Sequence, residues 1–155
     1  MSKSTNKALI YARAAKYDGV AAQRQADELK KAAIIDGYTD FTVIETTTPS
    51  GKPQYDSLIK EIETGEYGAV YVYEISRISR EANKLRNFFI KVNEANVEMK
   101  VTTLPWLSGQ SPATKSFALD LLAEFTEANY LGTSRRIKQG IAAKRGAYRG
   151  KEVGA

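Results

Sequence analysis

Arg77 and Arg80 stand three residues apart in YGAVYVYEISRISR, residues 67–80. Two guanidiniums on one turn can hold a phosphate through charge-assisted, bidentate hydrogen bonds. In isolation such a pair is more often solvated surface charge, so the other cations decide its meaning. Arg13 closes the apolar run KALIYA, residues 7–12. Lys52 sits in TTTPSGKPQ, residues 46–54, a loop carrying Pro49, Gly51 and Pro53. Each of these cations follows a stretch that reads as a strand. If the strands run parallel, all four share one rim, at the carboxyl ends where open α/β sheets bind ligands. The chemistry indicated is the binding of a phosphodiester.

Composition removes competing chemistries. The chain has no His and no Cys. That excludes a Ser-His-Asp triad, thiolate catalysis, disulfides and His- or Cys-bound zinc. The carboxylates show no ligand spacing, so neither a metal nor a cofactor is expected. No Gly-rich phosphate loop follows the first strand, which argues against an unrelated nucleotide-binding α/β domain. No apolar run approaches the ~18 residues that span a membrane. The polar lead MSKSTNK lacks the apolar core of a signal peptide. Cytoplasmic residence is therefore expected.

The formal charge is +5, unevenly spread. Residues 135–151 contain Arg135, Arg136, Lys138, Lys144, Arg145, Arg149 and Lys151 without a single Asp or Glu. A near-neutral body with a basic C-terminal arm suits a polyanion, and DNA is the expected partner.

The elements that must position these cations follow from hydrophobic period. Strands are predicted at 7–12, 41–45, 67–73 and 98–104, and helices at 20–36, 56–64 and 81–96. Gly37 and Gly65 read as helix stops. Ser111-Pro112 starts a last helix reaching about residue 145. The order predicts an α/β domain with a mostly parallel central sheet of about four to five strands, flanking helices and a long projecting C-terminal helix. At ~1.5 Å per residue that helix would be about 50 Å long, too long for this domain to cover. Phe117, Leu121, Phe125 and Ala128 recur on it at helical spacing, with Leu122 and Leu131 alongside. The stripe predicts a homodimer or higher oligomer through this helix. Gly132 and Gly140 are expected to mark bends. Trp106 and Leu107 are expected to pack half-buried against the helix, Tyr71 and Tyr73 to pack within the sheet, and Asp18 and Glu74 to be turn and surface residues.

The order and spacing of these features resemble the serine site-specific recombinases, the resolvase/invertase family. The resemblance rests on Tyr11-Ala12-Arg13 at the first strand's end and on Gln25 in the following helix. It continues through Ser50-Gly51-Lys52-Pro53 and the strand running into Arg77 and Arg80, then the long helix ending in AKRGAYRGK. In such enzymes a serine two residues after the first arginine attacks a DNA phosphodiester and forms a phosphoseryl link. The resemblance implies that Arg13, Arg77, Arg80 and Lys52 are phosphate ligands and Gln25 a helper. It also implies that the last helix dimerises and crosses DNA.

The resemblance places Ala15 at the nucleophile position. No Ser, Thr or Cys occurs between Thr5 and Thr39 to replace it. Ser76 stands where the family has an acid, and Lys52 where it has an arginine. Tyr17 and Ser76 are the nearby hydroxyls, and neither is expected to act as the nucleophile. Covalent catalysis should therefore be lost. The joint departures favour natural degeneration over one engineered Ser→Ala change. The expected division is a resolvase-like catalytic-type domain at 1–110, a dimerisation helix at 111–145 and a basic arm at 146–155, with no helix-turn-helix domain. The alternative is a non-enzymatic regulatory or assembly protein that uses the fold to dimerise or to pair with an active recombinase.

Overall fold

The computed structural model describes residues 6–13, 19–46 and 54–148, and for residues 46, 133–138 and 140–148 the backbone course alone. In chain order the elements are β1 (Lys7–Arg13), α1 (Gly19–Ile35), β2 (Asp40–Thr46), α2 (Tyr55–Glu63), β3 (Ala69–Val72), a 3-10 turn (Ile75–Arg77), α3 (Ala82–Glu94), β4 (Glu98–Val101), a second 3-10 turn (Pro105–Leu107) and α4 (Pro112–Tyr148). The sheet has four strands in the order β2-β1-β3-β4, and every pairing is parallel. The chain leaves β1 for β2 on one side and returns to β3 on the other. The carboxyl ends of β1 and β3 thus flank a topological switch point.

Both faces of the central strands β1 and β3 are buried, which explains why they read as continuous apolar runs. Ala8, Ile10, Ala12, Ala69 and Tyr71 face α1, meeting Ala26, Leu29 and Ala33. The small side chains on both sides let this helix lie close. Leu9, Tyr11, Val70 and Val72 face the opposite layer, against Leu58 and Ile62 of α2 and Leu85, Phe88 and Val92 of α3. Alternation along β1 therefore sends Arg13 to the side of Leu9 and Tyr11.

The helix stops read from sequence have a definite geometry. Gly37 has φ +100°, its N–H donates to Ile34 O at 3.0 Å, and Tyr38 N–H donates to Ala33 O at 3.0 Å. This is a Schellman ending, with glycine in the left-handed region. Asn96, at φ 55°, does the same for α3.

Two strands are shorter than expected. β3 ends at Val72 and β4 at Val101. Thr102 and Thr103 still donate to Val72 O and Tyr73 O, but Leu104 N–H turns back to Val101 O, drawing the chain into the turn led by Pro105. Leu107 is buried there, whereas Trp106 remains 49% exposed, contrary to the expected half-buried packing of both. Only one side of so short a turn can face the core.

The start of α4 is capped as predicted: Ser111 Oγ accepts the Thr114 N–H at 3.3 Å. Leu119 and Ala123 are buried in the core shared with α3. Arg86 of α3 reaches across to Asp120 at 2.9 Å and Glu124 at 3.0 Å. The first turns of α4 thus complete the domain's core. The opposite face is bare: Phe117 is 65%, Leu121 63% and Phe125 63% exposed. The helix continues through Gly132 and Gly140.

One buried pair gives a pH prediction. Tyr67 is almost fully buried and its hydroxyl donates to Glu61 Oε1. Burial, reinforced by that hydrogen bond, pushes its pKa up to about 12. The folded protein holds the phenol proton more tightly than the unfolded chain, whose tyrosines titrate near ~10. The resulting stability is complete below pH ~10 and is lost as pH rises towards 12. Urea melts across this range should show the decline, and Tyr67→Phe should lessen it without removing it, because burial also raises the pKa values of Tyr11, Tyr38 and Tyr71.

Candidate phosphate-binding site

The rim is built from the end of β1 and the segment after β3. That segment is a tandem triplet, Ile75-Ser76-Arg77 followed by Ile78-Ser79-Arg80. The first triplet forms the 3-10 turn, and Ile78 closes it with its N–H donating to Ile75 O at 3.0 Å. Ile75 and Ile78 are buried, anchoring the segment to the core. Ser79 is buried as well, and its Oγ accepts the Glu81 N–H at 3.0 Å, at the entry to α3.

Arg13 is the hinge of the arrangement and only 7% exposed. Its Nε donates to Arg77 O at 3.0 Å and its Nη2 to Ser76 O at 3.3 Å. A single guanidinium fork therefore ties β1 to the turn that carries the other two arginines. The Arg13 backbone N–H donates to Gln25 Oε1 at 3.0 Å. Gln25 thus fixes the end of β1 from α1. Burial lowers the Arg13 pKa, and the charges of Arg80 and Arg77 lower it further, while Tyr11 and Glu74 oppose this. The three guanidiniums thus lie near enough for Arg77 and Arg80 to act on Arg13 through their charge.

Arg77 lies over the Tyr73 ring at 5.6 Å, and its Nε is buried without a hydrogen-bond partner. Arg80 is exposed and lies over the Tyr130 ring of α4 at 5.1 Å. Among the described residues neither Arg77 nor Arg80 makes an ion pair. Tyr73, expected to be strand packing, lies just past β3 and serves as the platform under Arg77. Tyr71 does pack in the sheet, its hydroxyl donating to Asp36 Oδ2 at 2.6 Å.

Glu74 is a correction. The sequence reads it as a surface residue, yet it is half-buried, accepts the Ser76 hydroxyl, and lines a cleft of about 490 Å³ beside Arg80. A carboxylate thus stays within the site although the family's acidic position is Ser76. Its place two residues before Ser76 is the signal the sequence offers. Tyr11, which the sequence offers only as part of the Tyr11-Ala12-Arg13 motif and without a role, is a positioning residue: its buried hydroxyl accepts the Gln54 N–H at 3.1 Å, where the chain enters α2. Burial raises the Tyr11 pKa, only partly offset by that hydrogen bond and by Arg13, so the phenol stays neutral.

The structure brings together Arg13, Gln25, Arg77 and Arg80. Ala15, Tyr17, Asp18 and Lys52 lie outside the described residues, as do Arg149 and Lys151. Arg135, Arg136, Lys138, Lys144 and Arg145 lie on the distal course of α4, where side chains are outside the description. Among the described residues no group of carboxylates could hold a metal ion, and no helix is long and apolar enough to cross a membrane.

A four-stranded parallel sheet with flanking helices and a long C-terminal helix is the fold of a serine recombinase catalytic domain. The chain belongs to the resolvase family: the family model described as the resolvase N-terminal domain matches residues 8–149. Solved structures agree on the fold. The N-terminal catalytic domain of TP901-1 integrase superposes with a TM-score of 0.56 at 20% identity, covering 80% of this chain and 96% of that one. The C-terminal catalytic domain of ISC1926 TnpA, an IS607-like serine recombinase, gives 0.55 at 18%, covering 85% and 99%. A resolvase-family site-specific recombinase from Streptococcus pneumoniae gives 0.55 at 19%, covering 88% and 97%. No curated protein sequence matches the chain.

Proposed function

We propose that this chain is a recombinase-type domain that binds DNA phosphates at the Arg13–Arg77–Arg80 rim and does not cleave, because Ala15 occupies the position of the nucleophile. The observation that carries this reading is the convergence of three guanidiniums on a rim where Arg77 and Arg80 have no carboxylate partner among the described residues. Such a cluster raises the potential for an anion and costs stability when empty. Ala15 leaves the arginines able to bind a phosphodiester but with no group to attack it.

The basic arm supplies the remaining DNA contact in this reading. A salt titration of DNA binding tests it. Neutralising Arg135, Arg136, Lys144 and Arg145 together should flatten the slope of log K against log salt by about 3 to 4, at roughly 0.9 for each phosphate that is no longer neutralised. An unchanged slope would remove the arm from the interface.

The second reading, a non-enzymatic assembly protein, is favoured by the bare Phe117, Leu121 and Phe125 on α4. The two readings share a dimer through this helix. Phe117→Lys with Leu121→Glu and Phe125→Lys should convert that dimer to a monomer in sedimentation velocity, with the helical content retained because these positions are outside the core. A parent chain that sediments as a monomer at ~100 μM would refute it.

A further inference from the structure

We propose that the cleft between the rim and α4 receives an unstacked nucleotide, with its phosphate on Arg80 and its base on the Tyr130 ring. The inference rests on the reading of the rim as a phosphate site and names what lies beyond the phosphate. The cleft, of about 490 Å³, is bounded by the residues after β3, those after β4 and one side of α4. That volume falls in the range of small-ligand sites and exceeds what a phosphate alone needs.

The lining sorts into an apolar bed and a polar edge. Ile75, Leu104 and Leu122 form the bed. On the edge, the Asn129 amide and the Thr103 hydroxyl have no hydrogen-bond partner among the described residues. Glu74 keeps a second carboxylate oxygen beyond the one that accepts Ser76. A heteroaromatic base has this same division, with apolar faces and an edge of donors and acceptors. An asparagine amide pairs with adenine's edge in both directions, and a carboxylate accepts from an exocyclic amine.

Arg80 and Tyr130 supply an exchange. The guanidinium covers the ring at 5.1 Å. A phosphate competes for Arg80 through charge-assisted hydrogen bonds, which exceed an exposed cation–π contact. Once Arg80 turns to the phosphate, the ring face is released, and a base can stack where the guanidinium lay.

Two sources offer this chemistry: a free mononucleotide, or an unpaired nucleotide at the end of a DNA strand. Calorimetric titration of the full chain separates them. The probes are dAMP, deoxyribose 5-phosphate, inorganic phosphate, a blunt duplex, and the same duplex with one unpaired dA. We expect dAMP to bind at least about tenfold tighter than deoxyribose 5-phosphate, in line with base–aromatic stacking. Tyr130→Ala should abolish that preference, Tyr130→Phe should keep it, and Asn129→Ala should weaken it. Tyr130 is exposed, so its truncation leaves the core intact. A Tyr130-dependent gain for the overhang duplex over the blunt one assigns the site to DNA ends. A gain confined to dAMP assigns it to the free nucleotide. The proposal is overturned if dAMP, deoxyribose 5-phosphate and inorganic phosphate bind alike, or if Tyr130→Ala leaves the preference intact; the phosphate rim then stands alone. If neither inorganic phosphate nor blunt duplex binds, the rim reading fails and the proposal falls with it.

Discussion

Ala15→Ser, in a chain carrying an appended DNA-binding domain, is expected to form a covalent protein–DNA adduct where the parent forms none. Removing the nucleophile from an enzyme that acts through a covalent intermediate can cost on the order of 10⁶ in rate, and what is left comes from groups that bind and stabilise charge. If Arg13, Arg77 and Arg80 are those groups, a hydroxyl at position 15 should raise adduct yield by at least about 10³ over background. Position 15 lies two residues beyond Arg13, whose backbone is fixed by Gln25. The residue from which the chain departs towards the new serine is therefore already held. The readout is a DNA-shifted band that survives denaturation and disappears with protease. A blank with Ala15→Ser that turns positive only when Ser76→Asp and Lys52→Arg are added would place the loss in all three positions. A blank in the combined variant would sink the idea that the rim retains its cleavage geometry.

Arg13→Ala should give the largest loss of stability among the rim substitutions. The Arg13 fork donates to two carbonyls of the turn after β3, and its own backbone N–H is satisfied by Gln25. Hydrogen bonds from a charged donor contribute about 1.5–3 kcal/mol each, and unpaired buried carbonyls add a penalty. Relief of repulsion from Arg80 and Arg77 offsets part of this. A net loss of about 2–3 kcal/mol is expected, or roughly 5–10 °C in Tm for a domain of this size. Arg13→Lys should recover little of it, because an ammonium cannot span both carbonyls as a planar fork does. Arg80→Ala should behave oppositely, lowering affinity for DNA while leaving Tm nearly unchanged, since Arg80 is exposed. Thermal melts and DNA titrations on the same three variants distinguish anchor from ligand. Equal melting of Arg13→Ala and the parent would refute the anchoring role.

Much of this molecule is legible in local pattern. β1 and β3 are buried on both faces, so their apolar runs stand out. Arg13, Arg77 and Arg80 follow strands directly, so a parallel sheet suffices to gather them. Division of labour among them is not legible. The Arg13 bonds join residues 63 and 64 apart in the chain, and no local period records such a contact. Gln25 is reached only through the family resemblance; its contact with the Arg13 backbone depends on how α1 docks. Glu74 is hidden because an acid at a strand's end looks solvated until the turn folds back over it. Trp106 misleads because burial in a short turn goes to one of two adjacent apolar residues, and Leu107 takes it. The stripe on α4 is visible as a stripe, yet the buried residues are its neighbours Leu119 and Ala123. A helix with apolar residues on two sides does not declare which side meets its own domain.

The repeated Ile-Ser-Arg triplet after β3 also bears on how this segment can change length. Its two copies share a phase of three, with isoleucine inward and arginine at the rim in each. Insertion or deletion of one residue would rotate the second copy, sending Arg80 towards the core and Ile78 towards water. Removal of a whole triplet would keep the phase but shorten the lead into α3. One-residue length changes here should therefore cost more stability than in an exposed loop, because Ile75 and Ile78 are both held in the core.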